Sequence, residues 1–238
     1  MRLESCPISQ GCAGRLSAVN KMLYAPCQSY GPRRAVGAPE VIVLHYTAMH
    51  SVQAALDRLC DPDIEVSAHY LIAEDGRVWN MVPEDMRAWH AGAGQWRNIQ
   101  DVNSHSIGIE LANCGDHPFS EPQMHALETL MQSVMARWGI APIDVIGHSD
   151  MAPERKIDPG PRFDWRRLAC QGLSIWPDAV PGSAVDDAQF CAALHRFGYP
   201  ECSFDTLLRT MRLRFRPWGR GPLASEDMAI ATALARLR

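Results

Sequence analysis

Three polar side chains have the types and the supports of a metal centre. His45 lies near the end of an apolar, β-branched run, Val41-Ile42-Val43-Leu44-His45-Tyr46, and His148 ends a second short run, Asp144-Val145-Ile146-Gly147-His148. In α/β proteins, strand ends open onto the crevice where ligands usually bind. His148 also begins a polar stretch held by prolines, which presents Lys156 and Asp158. Two imidazoles and one carboxylate on rigid supports, with a fourth position open, match a catalytic zinc site. The chemistry of such a site is hydrolysis, because the ion brings the pKa of water towards about 7. Spacing alone leaves a second reading open, in which these are three unrelated surface residues.

The elements that must position these residues follow from periodicity. Residues 41–46 read as a strand buried on both faces. Val52, Ala55, Leu56 and Leu59 recur at helical spacing, and Asp61-Pro62-Asp63 stops the pattern. Ser67–Ala73 and Val78–Val82 read as two strands joined by the hairpin turn Glu74-Asp75-Gly76-Arg77. Ser106–Leu111 is a further strand. Ser120 and Gln123 form a capping box for a long helix with the stripe Met124, Leu127, Met131, Val134 and Trp138, and Gly139 ends it. Interleaved strands and helices predict an α/β domain with a mixed central sheet flanked by helices. Three short amphipathic patterns then predict a small three-helix bundle. The expected division is a mostly irregular leader over 1–38, the metal-bearing domain over 39–170, a linker over 171–185 and a small helical domain over 186–238.

Composition narrows the function classes. The chain has 238 residues, 47% of them hydrophobic, with a net charge of −4. That supports a buried core and argues against disorder. The negative balance argues against nucleic acid as a partner. No apolar run is long enough for a membrane span. Arg209, Arg212, Arg214, Arg216 and Arg220, interleaved with Phe215 and Trp218, form a local basic cluster. It reads as a solvated helix face or as a glycan-contact surface. The eight cysteines show no C-x-x-C pair, so they read as scattered reduced thiols rather than a zinc clasp. Cys114 reads as a small buried residue.

Several motifs occur in order: His45-Tyr46-Thr47, Ser67-Ala68-His69-Tyr70, Trp89-His90-Ala91-Gly92, Ser106-Ile107-Gly108-Ile109-Glu110, and Gly147-His148-Ser149-Asp150 through Lys156-Ile157-Asp158-Pro159-Gly160. Together they closely resemble the type 2 N-acetylmuramoyl-L-alanine amidases, over roughly residues 30–170. The resemblance implies one zinc ion held by His45, His148 and Asp158. It implies Glu110 as the acid/base residue and Lys156 as an electrophilic stabiliser. Cleavage would fall between the muramic lactyl group and L-alanine of peptidoglycan or anhydro-muropeptides, in cell-wall recycling. Thr47, His90 and Asn113 are expected to contact substrate. His69 is expected either there or as a satisfied group behind the site. His50, His105, His117, His125 and His195 are expected at the surface. The C-terminal bundle, with Phe197-Gly198-Tyr199, resembles a peptidoglycan-binding module. The alternative from another class is a non-catalytic peptidoglycan-recognition protein, against which the complete ligand set argues. Residues 1–26 hold no continuous apolar stretch of export-signal length, which favours the cytoplasm, whereas a wall-binding module would favour the periplasm.

Overall fold

A computed structural model describes residues 22–180, 182 and 184–238. The first part of the expected leader, with Cys6, Cys12 and Lys21, lies outside the described residues, as do Pro181 and Ser183 of the expected linker. The strands are β1 (Leu23–Tyr24), β2 (Tyr30–Pro32), β3 (Val41–Tyr46), β4 (Tyr70–Ile72), β5 (Val78–Asn80), β6 (Met86–Ala88), β7 (Ser106–Leu111) and β8 (Val145–Gly147). The helices are α1 (Val52–Cys60), α2 (Val102–His105), α3 (Glu121–Trp138), α4 (His148–Met151), α5 (Trp165–Cys170), α6 (Asp187–Phe197), α7 (Phe204–Phe215) and α8 (Ser225–Ala235).

Six strands form one sheet in the order β1-β5-β4-β7-β3-β8. Only the β4/β5 hairpin is antiparallel, so the sheet is mixed, as expected. Alternation along β3 sends Val41 and Val43 into one apolar cluster and Ile42 and Leu44 into another. Burying each such side chain contributes about 1.5–3 kcal/mol. The second cluster lies under α3 and α5, with Leu127, Met131, Val134 and Leu168. Helix α3 has the predicted limits. The Ser120 hydroxyl accepts from Gln123 N, and Gly139 ends the helix at φ +69°, a left-handed conformation that glycine adopts without strain.

The first cluster joins the sheet to the C-terminal helices. Val41, Val43, Ile146 and Trp96 pack in one core with Phe190, Leu194, Phe197, Met211 and Leu234. The three helices therefore share the core of the sheet. Two of the five clustered arginines leave the solvated face, while Arg209 and Arg220 stay exposed. Arg212 is buried against Asp227, and Arg214 against Asp150. The cause is that α7 packs between α4 and α8, so guanidinium groups on its inner faces meet acidic partners away from water.

Part of the stretch expected to be irregular is also built in. β1 adds an edge strand beside β5, and β2 pairs with β6. Edge pairing uses backbone donors and acceptors and needs no long apolar pattern, so these two- and three-residue strands leave no periodicity to read. Arg33, just past β2, donates to the carbonyls of Glu84, Ser104 and Ser106 at 2.7, 2.6 and 3.1 Å. No helix among the described residues is long and apolar enough to cross a membrane.

Candidate active site

The site stands where β3, β7 and β8 end. In the parallel ladder of β3 and β7, His45 is the register partner of Glu110. Ile107, Ile109 and Leu111 face α3, so Ser106, Gly108 and Glu110 face the opposite side. His45, two residues beyond Val43, faces that side too. His148 is the first residue of α4, directly after β8. Asp158 arrives on the following loop, which Ser149 N pins by donating to Asp158 O at 2.9 Å.

His45, His148 and Asp158 come together and are 1%, 3% and 8% exposed. His45 Nδ1 lies 2.9 Å from His148 Nδ1, and both lie close to Asp158 Oδ2, at 3.0 and 3.1 Å. The surrounding hydrogen bonds assign the ring tautomers. His148 Nε2 lies 2.9 Å from the Ala91 carbonyl, which only accepts, so the proton is on Nε2 and Nδ1 keeps its lone pair. His45 is set by a longer chain. Ser106 Oγ donates to Val102 O at 2.6 Å and so accepts from His90 Nε2 at 3.1 Å. His90 Nδ1 then accepts from His45 Nε2 at 3.0 Å. His45 Nδ1 is left as a lone pair facing Asp158.

This arrangement fits a divalent metal ion. Three acceptor atoms converge with no hydrogen among them, which is repulsive unless a cation lies between them. A tetrahedral zinc with ligands about 2.0–2.2 Å away spaces those ligands roughly 3.3–3.5 Å apart, close to the separations present. Burial first, and then the nearby His148, lower the His45 pKa to about 4. Its lone pair is thus free at neutral pH.

Glu110 and Lys156 line the same crevice, of about 530 Å³, as the triad. Glu110 Oε2 is shielded from water and has no hydrogen-bond partner. Burial, then the Asp158 charge, raise its pKa to about 8, and Lys156 opposes the rise. An unpartnered, strongly shifted carboxyl in a cleft makes Glu110 a candidate for proton transfer.

The expected substrate contacts divide. Thr47 and His90 line the crevice. His69 and Asn113 do not, and both are corrected here. His69 is fully buried: its Nδ1 accepts from Gly108 N at 3.0 Å, and its Nε2 lies 3.1 Å from the Met86 carbonyl. Both ring nitrogens are thereby occupied, and its ring packs edge-on against His90. Asn113 is 1% exposed. It accepts from Gly115 N at 2.6 Å and reaches His117, organising the turn after β7. For His69 the structure selects the second of the two expected places, a satisfied group behind the site, because strand alternation cannot tell a residue lining a crevice from one buried behind it; Asn113, just past the end of β7, is drawn into its own turn instead of the crevice.

Sequence reasoning also missed Ser106 and Gly108. A Cβ at Gly108 would lie 2.4–2.6 Å from the His90 ring, so only glycine lets His90 approach His45. The available signal was their place on the face of Glu110. Arg58, Met49 and Arg155 complete the crevice wall. None of the free cysteines among the described residues, at 27, 60, 114, 170, 191 and 202, takes a ligand position. Cys114 is half-buried, 3.2 Å from His50 Nδ1.

Comparison with known proteins bears on this geometry. A family model described as N-acetylmuramoyl-L-alanine amidase matches residues 35–161. The chain is 36% identical over 257 residues to the N-acetylmuramoyl-L-alanine amidase AmiD of Escherichia coli (strain K12), covering 94% of this chain and 92% of that protein. The solved complex of E. coli AmiD with anhydro-N-acetylmuramic acid-L-Ala-D-gamma-Glu-L-Lys is similar at a TM-score of 0.77 and 36% identity, over 86% of this chain and 93% of that one. AmpDH3 from Pseudomonas aeruginosa, solved with anhydromuramic pentapeptide, is similar at 0.76 and 30% identity, over 94% and 99%.

Proposed function

The chain belongs to the N-acetylmuramoyl-L-alanine amidase family, and on that premise we propose how its own residues hydrolyse the amide between the muramic lactyl group and L-alanine. The observation that carries the reading is one crevice in which the His45, His148 and Asp158 acceptors converge beside the unpartnered Glu110 carboxyl. His45, His148 and Asp158 would hold a zinc ion. When bound, the ion supplies Lewis acidity, polarising the amide carbonyl and acidifying water.

Glu110 handles the protons. In the loaded site Glu110 would act as the carboxylate, because an adjacent positive charge favours the ionised form. Glu110 then takes a proton from the attacking water as the new C–O bond forms. It returns that proton to the L-alanine nitrogen as the C–N bond breaks, so the amine leaves neutral. The Lys156 ammonium stabilises the negative charge that develops on the carbonyl oxygen. The crevice volume lies within the usual range for a bound small molecule, about 300–1,000 Å³. The substrate is an anhydro-muropeptide, a reading supported by the two related complexes named above.

The test is incubation of zinc-loaded protein with an anhydro-muropeptide and, separately, with intact sacculi, following release of free stem peptide. Faster release from the soluble fragment is expected. Release from sacculi alone would overturn the substrate assignment. Binding without any release would favour a non-catalytic recognition protein.

A further inference from the structure

A buried polar knot ties the C-terminal helices to the metal loop. Asp150 lies two residues after His148 within α4 and is fully buried. Its Oδ2 accepts from Gly147 N at 2.9 Å, capping the backbone that launches His148. The same Oδ2 takes Arg214 Nη1 at 2.7 Å, and its Oδ1 takes the Tyr199 hydroxyl at 2.8 Å. Arg214 also donates to the Val145 carbonyl of β8 at 2.9 Å and reaches Ser174 Oγ at 3.3 Å. Its guanidinium lies 4.2 Å over the Trp165 ring. The Arg214 and Asp150 side chains are each 1% exposed.

A buried ion pair is a poor way to add stability, because desolvation offsets much of the attraction. It is a good way to fix geometry, because its directional bonds can be made in one arrangement only; here both terminal nitrogens of Arg214 are engaged, and Nε has no hydrogen-bond partner. Arg214 grips β8 through Val145 and α4 through Asp150 at once, and His148 stands between those two grips. Tyr199 closes the remaining oxygen. Both gripping residues come from the segment after residue 185. We infer that Arg214 and Tyr199 are positioning residues of the metal centre, acting through Asp150 to hold the His148 backbone, and that the C-terminal helices are a working part of the metal site. This rests on His148 being a zinc ligand. Outer partners of metal ligands commonly change affinity by about 10–100-fold when removed.

The experiment measures zinc affinity of the full chain by competition with a chromophoric chelator, alongside thermal unfolding of the metal-free protein. Arg214→Met alone strands a buried carboxylate, so Tyr199→Phe and the charge-free pair Asp150→Asn/Arg214→Met are used. Leu234→Ala, in the core of the same helices and taking no part in the hydrogen bonds of the knot, is the control for lost stability. About 10-fold weaker zinc binding is expected for the charge-free pair and a smaller loss for Tyr199→Phe, with Leu234→Ala unchanged despite a lower Tm. Wild-type affinity in both knot variants would overturn the inference, as would an equal loss in Leu234→Ala. Failure of the wild-type chain to bind zinc would instead overturn the ligand assignment beneath it.

Discussion

His45 and Glu110 are register partners on adjacent parallel strands, on the same face of the sheet. The ladder thus delivers a metal ligand and a proton-transfer group into one crevice, with no loop to order. Their separation is set by strand spacing, about 4.8 Å, and is as rigid as the sheet.

Glu110→Gln should retain zinc and lose turnover by about 10²-fold or more, the range for a positioned acid/base group. Metal analysis and stem-peptide release on the same sample check this. Loss of zinc in the variant would make Glu110 a ligand.

The same substitution reports on pH. Glu110 has its pKa raised from 4.5 to about 8 in the metal-free fold, first by burial. Below pH 4.5 the carboxyl is protonated in both folded and unfolded chains, and its contribution to stability is fully present. Between about 4.5 and 8 only the unfolded chain ionises, so stability falls as pH rises. Metal-free Glu110→Gln should match the wild type near pH 4 and exceed it at pH 9, by on the order of a few kcal/mol. Melting curves at the two pH values test the sign.

Ser106→Ala removes the acceptor that fixes the His90 proton on Nε2. His90 can then present the wrong nitrogen to His45, and His45 the wrong nitrogen to the metal. Zinc affinity should fall about 10-fold or more, with the circular dichroism spectrum unchanged. Unaltered affinity would show that the tautomer chain has no effect on the site.

His69→Ala separates a core histidine from a substrate contact. It removes the acceptor for Gly108 N and leaves a void beside His90, destabilising the fold by about 2–4 kcal/mol. KM for an anhydro-muropeptide should stay within about twofold on protein assayed well below its Tm. A raised KM with an unchanged Tm would return His69 to the substrate surface.

Lys156→Met should lower kcat by about 10²–10³-fold, the scale of losing one oxyanion stabiliser, while zinc remains bound. Steady-state kinetics beside metal content decide it.

Local pattern determined a great deal. The β-branched run at 41–46 and the capped stripe of α3 sufficed for a mixed sheet flanked by helices, because periodicity and caps lie within a few residues of one another in sequence. The ordered His, Glu, Lys and Asp motifs pointed to a two-histidine, one-carboxylate centre through the family resemblance they carry. The tertiary structure alone decided what stands behind the site. Whether His69 and Asn113 face the crevice or the core depends on which neighbours cover them. The His45 tautomer depends on Ser106, 61 residues away. Arg212 and Arg214 of α7 look like part of an exposed face until Asp227 and Asp150 are brought against them. Except for Asn113, whose partners are local, these outcomes rest on hydrogen bonds or ion pairs between distant positions; in every case the outcome depends on burial, and burial belongs to the packed molecule rather than to any stretch of its chain.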